Sequence, residues 1–255
     1  MTLREIVRGG LAGSAFLAFG IGGAILSWVV LPLASCDWNR TRRQRRCQRI
    51  VQATFVLFHD YMTLIGVVGF DPRRAPRPLP EGPFVLVTNH PTLVDVTALI
   101  AAYGELCVVA KPALFRNPLL GPLLRLCGHI NSGQSTFGAP AVVVEQAVDR
   151  LRSGFRVLMF PEGTRSPDVG LRRFHAGAFQ TALEAGVPVV PIAITAHPPG
   201  LKKGHGWWQL PQKTIAISLE QLPPVPTAGH ENARQLMAET RERLERALGM
   251  GDGAR

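Results

Sequence analysis

The stretch Phe84-Val-Leu-Val-Thr-Asn-His90-Pro-Thr-Leu-Val-Asp95 joins two patterns. Phe84 to Thr88, following Pro83, is a short apolar, β-branched run of the kind buried in a sheet. Thr92 to Ala102 is mostly apolar at helical spacing, and Pro91 suits the first position of such a helix, where a missing N–H costs nothing. His90 therefore stands where a strand ends and a helix begins, the place where α/β sheets gather binding and catalytic groups. On one continuous helix, residues five apart point about 140° away from each other. With His90 outside the helix, its ring can fold back and meet Asp95, which lies one turn in. That contact fixes the imidazole tautomer and stabilises the imidazolium, making a general base with an orienter. A histidine that caps a helix beside an aspartate solvated near its positive end is the other reading of the same residues.

Outward from this stretch, Leu106–Ala110, Phe155–Phe160, Val187–Thr195 and Thr214–Leu219 read as strands, and Ala139–Arg152 and Ala176–Ala185 as helices. The alternation predicts an α/β fold with a mixed, largely parallel sheet flanked by helices. Pro112 to Leu124 is apolar and broken by prolines; it reads as the lining of a greasy channel or as a helical connection packed on the sheet. A last helix, about His230 to Leu248, places Leu236, Thr240, Leu244 and Leu248 on one face, with Glu239/Arg243 and Glu242/Arg246 at i,i+4.

A formal charge of +10 over 255 residues favours anionic partners, either nucleic acid or a phospholipid surface. Arg40, Arg42, Arg43, Arg45, Arg46 and Arg49 crowd together directly after the longest apolar segment, which reads as an anionic-lipid patch and a topology signal. No zinc finger, RNP-like strand or helix-turn-helix pattern supports nucleic acid, so no nucleic-acid partner is expected. No charged residue occurs between Arg8 and Asp37, a window longer than the roughly 20 residues that cross a bilayer core. Trp28 and Trp38 suit interfacial anchors, and the arginines would be retained in the cytoplasm. The expected location is a membrane, of the bacterial inner-membrane type, with the main domain on the cytoplasmic side. A full span, a hairpin and an interfacial helix all fit this window. Leu33-Ala-Ser-Cys36 also resembles a lipoprotein cleavage box, which the arginines beyond it oppose. Ile50–Phe70 suits either an interfacial helix or a core helix on the main domain.

The domain plan is thus a membrane-spanning or membrane-embedded region over 1–70, a Pro-rich linker over 71–82, the main domain over 83–222, and a helix and tail over 223–255. Cys36, Cys47, Cys107 and Cys127 contain no Cys-x-x-Cys pair and fit a reducing compartment. Cys127 reads as a small buried hydrophobe more readily than as a nucleophile. The remaining histidines have no metal-ligand spacing, so no metal is expected.

A second block, Phe160-Pro-Glu-Gly-Thr-Arg165, also follows a strand. Gly163 allows a tight turn in which backbone N–H groups approach a ligand. Arg165 offers a fork suited to phosphate, and Glu162 is expected to hold that fork. Taken with Asn89–Asp95 and Val187-Pro-Val-Val-Pro-Ile192, this block resembles the ordered motifs of the glycerolipid acyltransferases. More narrowly, the chain is similar to the 1-acyl-glycerol-3-phosphate acyltransferase (lysophospholipid acyltransferase) family over roughly residues 80 to 222.

The resemblance implies a glycerolipid acyltransferase-like fold and transfer of a fatty acyl group to a lyso-lipid hydroxyl. The co-substrate would be acyl-CoA or acyl carrier protein, and no further cofactor is implied. His90 would be the base and Asp95 its orienter. Glu162, Gly163, Thr164 and Arg165 would bind the acceptor head group, and Lys111 would touch anionic substrate. The family commonly carries an arginine where Gln134 falls in this chain, which opens acceptors other than lysophosphatidic acid, such as a lyso-ornithine lipid. A thioester hydrolase and a non-catalytic lipid-binding protein are the other classes the residues allow.

Overall fold

Strand β2, Val85–Thr88, is buried at all four positions and forms the middle of the molecule. The structure, a computed structural model, describes residues 3–76, 78–133, 139–202 and 210–250. In chain order the strands are β1 (Val68–Gly69), β2, β3 (Leu106–Ala110), β4 (Ile130–Asn131), β5 (Arg156–Met159), β6 (Val189–His197) and β7 (Ile215–Gln221). The helices are α1 (Leu3–Ile25), α2 (Leu31–Ala34), α3 (Arg40–Leu64), α4 (Asp95–Tyr103), α5 (Pro112–Arg116), α6 (Gly121–Leu126), α7 (Ala139–Arg152), α8 (Gly177–Ala185) and α9 (Ala233–Ala247). A π-helical segment, Leu26–Val30, joins α1 to α2.

The seven strands form one sheet in the order β1-β7-β6-β2-β5-β3-β4, as the expected mixed, mainly parallel fold requires. Among the described residues, every pairing between the named strands is parallel except β6 with β7. The strand patterns follow from burial. The central strands are covered on both faces and read as continuous apolar runs. β7, near the edge, alternates, with Ile215, Ile217 and Leu219 buried and Ala216, Ser218 and Glu220 exposed.

Side chains of the central strands divide between two cores. Phe84, Leu86, Val108, Leu158 and Ile192 pack with Cys47 and Val51 of α3, Leu99 of α4 and Leu123 of α6. Val85, Val87, Val157 and Met159 pack on the other side with Leu151 of α7, Phe179 of α8, and Leu236 and Leu244 of α9. Helices cover both faces, which is the condition for a parallel sheet.

Two expectations change on contact with the structure, the start of α4 and the arginine patch, and two open readings resolve. Helix α4 begins at Asp95 and not at Pro91, because the Asp95 carboxylate takes both the N–H and the hydroxyl of Thr92 and holds residues 92–94 in a side-chain-closed turn. Ile50–Phe70 is mostly the second part of α3, which packs on α4 and the sheet; Gln48 Nε2 donates to the Cys127 carbonyl at 2.8 Å. The arginine cluster forms the first turns of that same helix and is not one uniform lipid-facing patch. Arg45 and Arg49 both turn to Glu105, at the start of β3. The Pro112 stretch forms α5 and α6, the helical connection among its two readings. Cys47, Cys107 and Cys127 are buried and unpaired, and burial pushes the Cys107 thiol up to about 11. That suits a packed hydrophobe and not a nucleophile.

The uncharged N-terminal window forms α1, the π segment and α2, and Val7–Ala34 is long and apolar enough to cross a membrane. Ala12, Ala15, Leu26 and Leu31 are buried, whereas Leu17, Ile21, Ile25, Trp28, Val29 and Leu33 are exposed. Both ends of the window are tied to the folded domain. Arg8 Nη2 donates to the carbonyls of Lys213 and Gly66, at 3.2 and 3.4 Å. Ser27 Oγ donates to the Leu119 carbonyl at 2.5 Å, and Trp28 Nε1 to that of Pro118 at 2.9 Å.

Candidate active site

Asn89 ends β2 by bonding sideways to β6: its Nδ2 donates to the Ile194 carbonyl at 2.8 Å and its Oδ1 accepts the Ile194 N–H at 2.7 Å. The two bonds fix the chain direction just where His90 leaves the sheet. The His90 ring then turns back, and Nδ1 meets Asp95 Oδ2 at 2.7 Å. The Asp95 side chain is wholly buried, while that of His90 is 18% exposed. Asp95 also accepts the Thr92 N–H at 2.7 Å and its hydroxyl at 2.5 Å, so the carboxylate is held from both sides. A carboxylate with these partners requires the proton on His90 Nδ1, which leaves Nε2 as the acceptor. Phe160, the residue after β5, stacks on the imidazole with ring centroids 4.3 Å apart. Ring position is thus set by one hydrogen bond and one aromatic face.

The second block lies on the neighbouring strand, since β5 pairs with β2. Gly163 has φ +65°, a left-handed turn that glycine adopts without strain. The turn carries Ser166 back to the first block. His90 N–H donates to Ser166 Oγ at 2.9 Å, and Ser166 N–H donates to the His90 carbonyl at 2.8 Å. His90, Asp95, Glu162, Gly163, Thr164 and Arg165 therefore share one end of the sheet, at the carboxyl ends of β2 and β5. Lys111 stands further along, exposed, after β3 on the far side of β5.

Glu162 does not hold the Arg165 fork, contrary to the expectation from spacing. It is buried; Oε1 accepts the Ser166 hydroxyl at 2.5 Å and Oε2 the Arg172 N–H at 2.8 Å. Arg165 Nη1 donates instead to the Leu201 carbonyl at 3.2 Å, in the β6–β7 connection. The same carbonyl accepts the Leu93 N–H at 3.1 Å, so it ties Arg165 to the turn before α4. The sequence reading gave no role to Thr92, Phe160, Ser166 or Arg172. A Thr three residues before an Asp, the spacing of a capping box, was the one available hint. Gln134 lies outside the described residues.

The chain matches the family model described as Acyltransferase over residues 71–195. It is 31% identical over 176 residues to the 1-acyl-sn-glycerol-3-phosphate acyltransferase of Escherichia coli (strain K12), covering 66% of this chain and 67% of that protein. The chain belongs to the 1-acyl-glycerol-3-phosphate acyltransferase family. A Chlamydomonas reinhardtii protein of the same name is 31% identical over 187 residues, 73% of this chain. The human 1-acyl-sn-glycerol-3-phosphate acyltransferase alpha is 33% identical over 152 residues, 59% of this chain. The matches span about half the length of these last two relatives, 53% and 52%. The crystal structure of the 1-acyl-sn-glycerophosphate (LPA) acyltransferase, PlsC, from Thermotoga maritima superposes with a TM-score of 0.77 at 20% identity. It covers 99% of this chain and 100% of that one, so the folds agree throughout.

Proposed function

We propose that this chain transfers a fatty acyl group from acyl-CoA or acyl carrier protein to the free hydroxyl of a lyso-lipid, with 1-acyl-glycerol-3-phosphate as the acceptor. The observation that carries the reading is the 2.7 Å contact between His90 Nδ1 and a fully buried Asp95, on a ring that still reaches solvent. Nε2 takes the hydroxyl proton as the acceptor oxygen attacks the thioester carbonyl. The tetrahedral intermediate collapses, the C–S bond breaks, and the imidazolium returns its proton to the departing sulfur. The products are one ester and one thiol. Asp95 holds the imidazolium through the step and stays ionised.

In this reading Arg165 meets the acceptor phosphate, Gly163 and Thr164 shape the turn around it, and Lys111 approaches the anionic substrate from the α5 side. Glu162 acts as a brace, because its two oxygens already hold Ser166 and Arg172. A charge-assisted contact contributes about 1.5–3 kcal/mol. Arg165→Ala should therefore raise the KM for 1-acyl-glycerol-3-phosphate by roughly 10- to 100-fold. The donor KM should move far less. Initial rates of thiol release with each substrate varied in turn check this, across a panel of lyso-lipids with and without phosphate. Equal effects of the substitution on all acceptors would remove Arg165 as the phosphate contact.

The apolar N-terminal helix suits a membrane-bound enzyme that lies on the bilayer without threading it. β6 runs parallel to β2, while β7 and β1 run the other way, so Gly66 and Lys213, just before β1 and β7, sit at the same rim as His90. Pro118 and Leu119, after β3, share that rim. Arg8 and Ser27 are about 29 Å apart along the helix, and each end is bonded to this rim. A transverse helix would drag one of those loops through hydrocarbon, where its backbone polar groups find no partners. We expect α1 to lie along the surface of a cytoplasmic leaflet. Fluorophores at Leu17, Ile21 and Ile25 should then be quenched to similar extents by lipids brominated at one depth. A steady depth gradient from Leu17 to Ile25 would mean that the helix crosses.

A further inference from the structure

The loop that carries Gly163 to Ser166 leaves the sheet after Pro161 and closes where the His175 N–H bonds the Pro161 carbonyl at 2.8 Å. Helix α9 grips this loop from outside. Arg241 Nη1 donates to the Arg172 carbonyl at 2.9 Å and Nη2 to the Leu171 carbonyl at 3.3 Å. The guanidinium lies 5.2 Å over the ring of Phe174, and its Nε is held by Glu245 at 2.8 Å. Three of the fork's contacts are therefore fixed at once, which is the use arginine has over lysine.

The grip continues inward without a break. The Arg172 N–H holds Glu162 Oε2, and Arg172 Nε donates to the Arg165 carbonyl at 3.1 Å. Glu162 holds the Ser166 hydroxyl, whose oxygen accepts the His90 N–H, while the Ser166 N–H donates to the His90 carbonyl. Arg241 is thus linked to the base through the carbonyls of 171 and 172, then Arg172, Glu162 and Ser166. It lies outside residues 71–195, over which the family model matches. We infer that Arg241 is a positioning residue: α9 uses it to hold the Glu162–Arg172 loop in the geometry that receives the acceptor head group. This rests on the acyl-transfer reading above for its kinetic consequence, and on the contacts alone for its structural one.

Hydrogen exchange and kinetics on the full chain in detergent test it together. Arg241→Ala should speed amide exchange in residues 162–172 at least tenfold, with β2 and β5 unchanged. It should raise acceptor KM about tenfold while donor KM and kcat stay within two- to threefold. Arg241→Lys should fall between, since an ammonium cannot fork to two carbonyls and a carboxylate. Arg246→Ala removes an exposed pair with Glu242 on the same helix and should change neither readout. If the alanine variant does not fold, the lysine variant decides, with a three- to fivefold rise in acceptor KM expected. Unchanged exchange in 162–172 would overturn the clamp. Faster exchange with an unmoved acceptor KM would reduce Arg241 to a structural anchor and overturn its positioning role. A wild-type chain that turns over no lyso-lipid would sink the proposed activity, and the clamp would then stand or fall on exchange alone.

Discussion

His90→Ala should lower kcat for the proposed acyl transfer by about 10²–10⁴-fold, the usual worth of a positioned general base, with both KM values expected within a few fold of wild type. The small KM change follows from geometry, since the ring is held by Asp95 and Phe160 and not by the residues assigned to the head group. Asp95→Asn is expected to cost nearly as much. Oδ2 accepts both the Thr92 N–H and the His90 Nδ1–H, so an amide oxygen there keeps both contacts but lacks the charge that stabilises the imidazolium, and an amide NH2 there loses both. Thiol-release rates measure the effect, with circular dichroism to show that each variant is folded. A variant with the wild-type rate would remove that residue from the chemistry.

Acidification should unfold the protein through two histidines that take no part in catalysis. His59 is buried between α3 and α4; the Thr97 hydroxyl donates to the Val94 carbonyl and accepts His59 Nε2–H at 3.0 Å. His129 is buried beside β4 and accepts the Val108 N–H on Nδ1 at 3.0 Å. Burial lowers both side chains to about 4 from 6.5, with the nearby Arg150 guanidinium pushing His129 in the same direction. The folded state therefore prefers both neutral. The unfolded chain takes up protons near pH 6.5, before the folded chain does, so stability is full above that pH. It falls as pH drops towards 4 and levels off below. Each histidine should remove about 2–3 kcal/mol between pH 7 and pH 4.5. Thermal melts across this range test it. His129→Asn, which can still accept the Val108 N–H, should flatten the slope, and a melting temperature independent of pH in the wild type would contradict the account.

Much of the fold was legible because local pattern reports burial directly. β2, β3 and β5 are continuous apolar runs bounded by turn residues, and such runs are what a sheet covered on both faces demands. β1 and β4 were not legible, since two-residue strands have no period to detect. The His90–Asp95 contact was foreseeable because five residues of chain can be reasoned about locally. Glu162 and Arg165 were paired wrongly for the opposite reason. Their true partners, the Arg172 N–H and the Leu201 carbonyl, arrive by the fold of the loop and of the β6–β7 connection. The arginine cluster was over-read in the same way, because Glu105 joins it from far along the chain. Arg241 lay on a helix whose i,i+4 pairs were visible, but nothing local marks which arginine reaches across to another element.

The most direct test of the central claim is the acceptor dependence of thiol release by the purified wild-type chain in detergent or vesicles. With acyl-CoA or acyl carrier protein as donor, thiol should appear only when 1-acyl-glycerol-3-phosphate is present, one thiol for each ester formed. Thiol released at the same rate without any lyso-lipid would mean that water is the acceptor, and would contradict a site built to deprotonate a lipid hydroxyl.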